Sequence, residues 1–354
     1  MKIIIAMDSF KGCLSSAEAA EAARKALAEV MPDAEIYSMA VSDGGDGMLD
    51  AFAAAMGARI ETAAVHDPLM RRITARYGVC SDGTAIIETA EACGLTLMKP
   101  EELNPMRAVT CGVGELIAAA VKRGSRRFII GLGGSGTSDA GIGMLRTLTE
   151  IFAGNGGNIN EMMKGDMGKC FFTLACDVNN PLYGTNGAAA VYGRQKGATP
   201  EMIPLLDRRA EKFAEMAARH CGHDCSMQPG AGAAGGLGYA FMQFFNTEIR
   251  NGADLMLDIC RFDEVAKGAD LIITGEGHAD KQTLMNKMPA RILERAKALG
   301  IPVRLLAGDV DNREELLAAG FERVEKITPG NMDTSKAMIP DVARENISAT
   351  IRRM

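Results

Sequence analysis

Short apolar segments alternate along the chain with longer segments in which apolar residues recur at helical spacing. The apolar run that begins at Lys2 and the run 127–131 each end in glycine and polar residues and are followed by an amphipathic stretch. Strands that end in polar residues before a helix are typical of parallel sheets, and open α/β folds bind ligands at the carboxyl edge of such sheets. The pattern therefore predicts an α/β protein whose polar strand ends form a binding site.

The same pattern places the individual elements. Besides the N-terminal run, strands are predicted at 36–41, 59–66, 71–79, 84–88, 127–131, 171–176, 271–274, 303–306 and 322–327. Helices are predicted at 17–30, 48–56, 114–122, 140–148, 201–219, 290–299, 313–319 and from about residue 334 onward. Residues 177–200 are predicted to form a long loop without secondary structure, and such loops are usually functional.

Two domains are expected because 354 residues exceed the size of one typical domain. Pro100 and Pro105 interrupt the pattern, and the short βαβ units of the last third resemble those of the first hundred residues. We therefore predict a discontinuous first domain, residues 1–90 plus 290–354. A glycine-rich second α/β domain, residues 91–289, is predicted to be inserted into it.

Composition narrows the class of partner. The chain has a net charge of −6, no Trp and only 5% aromatic residues, which argues against nucleic acid and against a membrane surface. No apolar segment reaches the length of a membrane span, and the N-terminal residues lack the pattern of a signal peptide. We expect a cytoplasmic protein whose nine cysteines are reduced. The sequence leaves homo-oligomerisation open.

The segment 128–145 has the composition of an anion-binding site. An apolar strand leads into a glycine loop and then into an apolar helix, and the loop's N–H groups converge where Cβ atoms are absent. We expect Gly133, Gly134 and Ser135 to donate N–H groups to a phosphate or a carboxylate. The G-x-G-x-x-G spacing at 131–136 and again at 230–235 also allows a nicotinamide site, but Glu150 lies in a predicted helix where that site needs an acid at a strand end.

Carboxylates follow several predicted strands. They are Asp8, Asp43, Asp46, Asp139, Asp177, Glu276 and Asp280. Some are expected to be simple helix caps, Asp139 and Asp46 above all. The others suggest Mg²⁺, which is typically held by one or two carboxylates together with phosphate oxygens, and a general base for a hydroxyl group.

Six stretches together resemble the bacterial glycerate kinase family. They are DSFKG at 8–12, DGGDGM at 43–48, GGSGTSDAG at 133–141, the segment from CDVNNPL to RQKGAT at 176–199, PGAGAAGGLG at 229–238, and TGEGHADKQT at 274–283. The resemblance implies ATP-dependent phosphorylation of D-glycerate with Mg²⁺, mostly to 2-phosphoglycerate. It also implies two α/β domains, of which one is flavodoxin-like and built from both chain ends. Asp46 and Met48 depart from the family pattern, which usually has Glu and Thr there.

On this reading ATP and glycerate are expected to meet in a cleft between the domains. We assign Asp177 as general base with Asp8 as the second choice, Lys11 and Lys196 as phosphate or carboxylate cations, and Glu276 and Asp280 as Mg²⁺ ligands. The expected substrate-binding and nucleotide-binding residues are Ser9, Asp43, Gly44, Gly45, Asp46, Gly133, Gly134, Ser135, Asp139, Asn180, Gln195, Gly232, Gly275, Gln282 and Thr283. Two alternatives stay open: an NAD-dependent oxidoreductase of a small hydroxy acid, and a non-catalytic sugar-acid binding protein.

Overall fold

The computed structural model describes residues 1–10, 12–154, 156–285 and 287–354, and it divides the chain into two compact units. Unit 1 comprises Met1–Met56 and Asn251–Met354, and unit 2 comprises Gly57–Arg250. The fold is mixed α/β, as predicted. The unit boundaries differ from the predicted domain boundaries, because 57–90 belong to unit 2 and 251–289 belong to unit 1.

The strands form two sheets. They are β1 (Lys2–Met7), β2 (Glu35–Ala40), β3 (Arg59–His66), β4 (Arg72–Val79), β5 (Ala85–Glu88), β6 (Arg127–Gly131), β7 (Phe171–Ala175), β8 (Asn246–Arg250), β9 (Leu271–Ala279), β10 (Val303–Val310) and β11 (Arg323–Lys326). Most of the predicted strands are confirmed within two residues at each end. The exceptions are β9 and β10, which are longer than predicted.

The helices connect and cover these strands. They are α1 (Ser16–Val30), α2 (Met48–Met56), α3 (Ala90–Cys93), α4 (Cys111–Lys122), α5 (Ile142–Ala153), α6 (Ile159–Lys164), α7 (Ala188–Tyr192), α8 (Met202–Cys221), α9 (Leu237–Phe244), α10 (Gly252–Ile259), α11 (Phe262–Ala266), α12 (Met288–Leu299), α13 (Arg313–Ala319), α14 (Thr334–Ala337) and α15 (Pro340–Arg352). None of the helices in the described ranges is long and apolar enough to cross a membrane.

The sheet of unit 1 is parallel throughout and has the order β2-β1-β9-β10-β11. Counted along the unit, this is the order 2-1-3-4-5 that characterises flavodoxin-like folds. The interior of β1 is buried along its length, as expected of a central strand covered on both faces. Ligands in such folds bind at the switch point of strand order, which here lies between β1 and β9.

The sheet of unit 2 has the order β3-β4-β5-β6-β7-β8. The strands β3, β4 and β5 are antiparallel, and β5 to β8 run parallel. Its core contains the stacked rings of Phe128 and Phe172 with Phe241 beside them. Because β5 pairs with β6, the segment 57–90 is held in this unit; β9 pairs with β1, so it belongs to the other unit.

Two segments differ from their predicted structure. Residues 177–200 contain α7 and a 3-10 turn at Arg194–Lys196, so they are not a loop without structure. The C-terminal helix is divided into α14 and α15, because Pro340 cannot donate a backbone hydrogen bond and instead occupies the first turn of a new helix.

Candidate active site

A cavity of about 510 Å³ lies within unit 1 at the carboxyl ends of its parallel strands. Asp8 after β1, Asp43 after β2 and Glu276 in β9 all line it, together with Asp309 in β10. These four carboxylates line one cavity because neighbouring parallel strands end at the same edge. The structure thus brings Asp8, Asp43 and Glu276 together, in the place where the strand order reverses.

Glu276 is a buried carboxyl group within this cavity and is only 7% exposed. Its Oε1 accepts a hydrogen bond of 2.7 Å from Thr283 Oγ1, whose oxygen in turn accepts one of 2.9 Å from the Asp280 N–H. Burial raises the pKa of Glu276 to about 7, the bond from Thr283 and nearby Lys287 lower it, and Asp43 raises it further. Glu276 can therefore exchange a proton near neutral pH.

The Asp280 side chain stabilises a turn of the backbone. Its Oδ1 accepts hydrogen bonds from the Gln282 N–H at 2.7 Å and the Thr283 N–H at 3.3 Å, which caps a 3-10 turn. The cavity is lined by Glu276 but not by Asp280. Across residues 1–10, 12–154, 156–285 and 287–354, no group of three or more His, Cys, Asp or Glu side chains is arranged to hold a metal ion.

Residues that follow β1 line the cavity. Asp8 is buried, its N–H donates to the Gly275 carbonyl at 2.9 Å, and its Oδ1 accepts from the Ser9 N–H at 2.7 Å. Ser9 Oγ is buried and has no hydrogen-bond partner among the described residues. Lys11, predicted as a catalytic cation, lies outside the described residues.

The remaining predicted residues of unit 1 divide into lining and supporting positions. Asp43 lines the cavity, and its Oδ1 accepts from the Gly45 N–H at 3.0 Å, which shapes the loop of Gly44 and Gly45. Asp46 is exposed and does not line the cavity. Gln282 is likewise exposed. Gly275 lies inside the sheet, where a Cβ would come within 2.5 Å of the Leu306 carbonyl oxygen.

The glycine loop of unit 2 runs from β6 to α5 and presents backbone N–H groups. It is held against the segment after α3, since Leu95 N–H donates to Gly134 O at 2.9 Å and Gly136 N–H to Cys93 O at 2.8 Å. Gly134 has φ +67°, which turns consecutive N–H groups toward one side. In the part of the chain that the structure describes, the N–H groups of Gly133, Gly134 and Ser135 donate no hydrogen bond. They are therefore available to an anion.

Lys196 places a buried ammonium group beside this loop. Its side chain is 3% exposed, and Nζ donates to Ser135 Oγ at 3.0 Å and to the Thr137 carbonyl at 2.7 Å. Burial lowers the pKa of Lys196 to about 8, although nearby Cys93 and Asp139 raise it. No carboxylate of the described residues forms an ion pair with it. Within the described ranges its hydrogen-bond partners are neutral oxygens, an arrangement that an anion would complete.

Asp139 serves the helices around the loop. It is buried and accepts hydrogen bonds from the Thr110 N–H at 2.9 Å, the Gly141 N–H at 3.0 Å and the Gly143 N–H at 3.1 Å, besides the Thr110 hydroxyl. Burial raises its pKa, and these four donors lower it. Asp139 therefore fixes the starts of α4 and α5, in agreement with the capping role favoured from the sequence.

Asp177 lies close to the glycine loop along the sheet edge. The parallel strands β6 and β7 pair Gly131 with Ala175, so Gly133 and Asp177 each lie two residues beyond that pair. Neighbouring strands are about 4.8 Å apart, which places the two backbone positions on adjacent strand ends. The Asp177 side chain is partly exposed. A carboxylate thus follows the strand that neighbours the one leading into the candidate anion donors.

The residues that follow Asp177 mostly hold the segment together. Asn180 Nδ2 donates to the Asn186 carbonyl at 2.9 Å, and its Oδ1 accepts from the Tyr192 hydroxyl at 2.6 Å. Gly232 N–H donates to the Asn180 carbonyl at 2.9 Å, and a Cβ on Gly232 would lie 2.4 Å from the Pro181 carbonyl oxygen. Gln195, predicted as a binding residue, is exposed.

Sequence reasoning missed several residues of these sites. Lys287 and Asp309 line the cavity of unit 1. Asp309 follows an apolar run at 303–306, as Asp8 follows its own run, and this signal could have identified it. Thr110, which anchors Asp139, precedes α4 in the position of a helix cap. Nothing in the local pattern indicates that Cys93 lies near Lys196.

Comparison with known proteins gives the family. The model of the glycerate kinase family matches residues 3–354. The chain is 38% identical to the glycerate kinase of Bacillus subtilis over 99% of its length and 96% of the relative's. It is 39% identical to the glycerate 2-kinase of Escherichia coli over 88% of its length and 86% of the relative's.

A solved structure agrees with the fold as well as the family. The chain matches a crystal structure provisionally named glycerate kinase 2, from Salmonella typhimurium LT2, with a TM-score of 0.83 and 36% identity. The match covers 100% of this chain and 96% of the other. The chain therefore belongs to the glycerate kinase family and is an ATP-dependent kinase that acts on a hydroxyl group.

Proposed function

We propose that this protein transfers the terminal phosphoryl group of ATP to a hydroxyl of D-glycerate and forms 2-phosphoglycerate. The family and the names of the relatives support the substrate, and the Escherichia coli relative named glycerate 2-kinase supports the product. The structural observation that carries the proposal is the buried Lys196 ammonium beside Ser135, next to a loop with unused N–H donors. Phosphoryl transfer requires mainly positioning and neutralisation of charge, which these groups supply.

In this proposal the loop of Gly133, Gly134 and Ser135 holds an anion together with Lys196. This anion is either the transferring phosphoryl group or the carboxylate of glycerate, since both are negatively charged. Both offer several acceptor oxygens to convergent N–H groups, and an ammonium that loses water on burial interacts strongly with such oxygens. The loop N–H groups fix position, and Lys196 adds the charge.

Asp177 is proposed as the general base that accepts the proton of the glycerate hydroxyl. Its place on the strand end beside Gly133 supports this role, since a base must lie within hydrogen-bond reach of the group that it deprotonates. Asp8 is the second candidate, supported by its buried position in the cavity of unit 1. That the residues of both units act on one pair of substrates stays a prediction.

Mg²⁺ fits the carboxylates of unit 1. Hard oxygen donors are what this ion prefers, and Asp8, Asp43 and Glu276 line one cavity. We propose Glu276 with Asp43 or Asp8 as ligands, in place of the pair Glu276 and Asp280, because the Asp280 carboxylate caps a turn. When bound, the ion would neutralise charge on the phosphates of ATP.

The nicotinamide alternative has little structural support. The first G-x-G-x-x-G run, 131–136, follows β6, but α5 begins only at Ile142, whereas a dinucleotide loop opens its helix directly. The second run, 230–235, follows α8 rather than a strand. A cytoplasmic location and a homo-oligomeric state stay predictions.

The test is an activity screen with the product identified. The protein is incubated with Mg²⁺ and ATP and, separately, with NAD, each with D-glycerate and with related small hydroxy acids. We expect ATP consumption with D-glycerate and a phosphorus NMR spectrum of 2-phosphoglycerate. Turnover of another hydroxy acid only, consumption of NAD, or glycerate binding without turnover would each overturn the proposal in a different way.

A further inference from the structure

The cavity of unit 1 has walls of two different kinds. Its apolar lining residues include Phe10, Ile327, Ala337 and Met338, which are together called the apolar wall. The polar lining residues include the carboxylates at the strand ends, Asp8, Asp43 and Glu276. A ligand that fills this space needs an apolar surface and, separately, groups that donate hydrogen bonds to carboxylates.

We infer that this cavity binds the nucleoside half of ATP, with the purine on the apolar wall and a ribose hydroxyl near whichever of Asp8 and Asp43 does not ligate Mg²⁺. The inference rests on the proposed kinase reaction and specifies where its nucleotide binds. Purine rings are flat and largely apolar on their faces. Ribose hydroxyls donate to carboxylates, which is how α/β nucleotide sites hold a ribose. The apolar wall includes Ala337 of α14, a segment to which the sequence pattern gave no function.

The charge of the cavity lining also favours an uncharged part of the ligand. Among the described residues, the lining carboxylates Asp8, Asp43, Glu276 and Asp309 outnumber the basic lining residues, Lys287 and His278. Lys326 pairs with Asp309 at 2.6 Å and neutralises that carboxylate, and the other acids of this lining are Asp8, Asp43 and Glu276. The nucleoside carries no charge and is therefore the part of ATP that such a lining accepts without a counter-ion.

The volume of the cavity and a buried hydroxyl group without a hydrogen-bond partner among the described residues also support a nucleoside ligand. A volume of about 510 Å³ is within the range of about 300–1,000 Å³ that encloses ligands larger than a three-carbon acid. Ser9 lines the cavity, and its buried Oγ has no partner among the described residues. Buried hydroxyls are normally hydrogen-bonded, so Ser9 indicates a polar group of a ligand in this position.

The test places a larger side chain at the apolar wall and measures the affinity for a nucleoside directly. Ala337→Phe adds a ring to the cavity from the short helix α14. Ala318→Phe is the matched control, because Ala318 is exposed on α13 and does not line the cavity. Adenosine and ATP are titrated calorimetrically into the full chain without acceptor, and the Michaelis constant for glycerate is measured separately. Overpacking of the site should weaken adenosine and ATP binding by about tenfold or more.

We expect the Michaelis constant for glycerate to stay within about twofold in Ala337→Phe, and all constants to stay unchanged in Ala318→Phe. Unchanged adenosine affinity in a folded Ala337→Phe, or loss of glycerate binding with adenosine binding intact, would overturn the inference. Met338→Trp fills the same wall if Ala337→Phe does not fold. Because adenosine binding is measured without an acceptor, it is independent of whether glycerate is the true substrate.

Discussion

Replacing Lys196 with Met tests whether this buried charge is retained for binding an anion rather than for stability. The Nζ atom contacts only Ser135 Oγ and the Thr137 carbonyl among the described residues. Burial lowers the pKa of Lys196 from 10.5 to about 8. At pH 7 the folded protein therefore holds a charge in a place that disfavours it. Met has a similar length and no charge.

The magnitude follows from the pKa difference. The shift from 10.5 to about 8 corresponds to a cost of about 3 kcal/mol for the charged group in the folded protein. Between these pH values the unfolded chain binds one more proton than the folded chain, so the free energy of unfolding rises by about 1.4 kcal/mol per pH unit. Below pH 8 both states are protonated, and the whole cost is present.

The substitution removes this cost and leaves the Thr137 carbonyl without its partner, which costs about 1–3 kcal/mol. At pH 7 we expect Lys196→Met to be about as stable as the parent or more stable, and at pH 10 to be less stable than the parent. Urea unfolding at pH 7, 8, 9 and 10 gives the free energies. Lys212→Met, at an exposed position on α8, is the control. Turnover of ATP with glycerate should fall strongly in Lys196→Met only.

Two results would refute this reasoning. If Lys196→Met lowers the free energy of unfolding at pH 7 by several kcal/mol, the ammonium stabilises the fold, and its burial needs no ligand to explain it. If turnover and both Michaelis constants are unchanged, no anion of the reaction depends on Lys196. Either result would remove the main structural support for the anion site.

The other predictions address single residues. Burial raises the pKa of Glu276 from 4.5 to about 7, so between these pH values the folded state keeps a proton that the unfolded state loses. The free energy of unfolding should therefore fall by about 3 kcal/mol as the pH rises from 4.5 to 7. Urea unfolding of Glu276→Gln should show no such dependence on pH. Gly232→Ala should destabilise the protein by about 1–3 kcal/mol, because its Cβ would lie 2.4 Å from the Pro181 carbonyl oxygen. Gly330→Ala, with open space around it, should change the thermal midpoint little. Asp177→Asn should fold normally and lower kcat by about 10²–10⁴, and near-normal turnover would move the base to another residue.

The sequence was informative where local pattern decides structure. Apolar runs such as β6 and β1 could be predicted because a central parallel strand is apolar on both faces. The capping box of Ser15 and Glu18 fixes the start of α1 at Ser16, one residue from the predicted start. The strand ends that carry Asp8 and Asp43 were located for the same reason.

The domain boundaries could not be read from local pattern because they depend on which strands pair. The strand β5 looks like its neighbours in sequence, but it pairs with β6, more than thirty-five residues along the chain. Likewise, β9 was predicted to end at residue 274 because glycines follow. In the structure β9 continues to Ala279, because it pairs with β10 from Val303 to Val310. The glycines are there because the sheet is closely packed: a Cβ on Gly275 would meet the Leu306 carbonyl.

The candidate site shows where local rules and the fold disagree. A lysine is rarely buried without a carboxylate, and a serine hydroxyl is rarely buried without a hydrogen bond, but Lys196 and Ser9 meet these descriptions among the described residues. Such conflicts cost stability and are expected mainly at functional positions. The two also differ in what would resolve them, since Lys196 needs an anion and Ser9 a hydrogen-bonding group. The two positions support the proposal that unit 2 binds an anion of the reaction through Lys196 and that unit 1 binds the nucleoside beside Ser9.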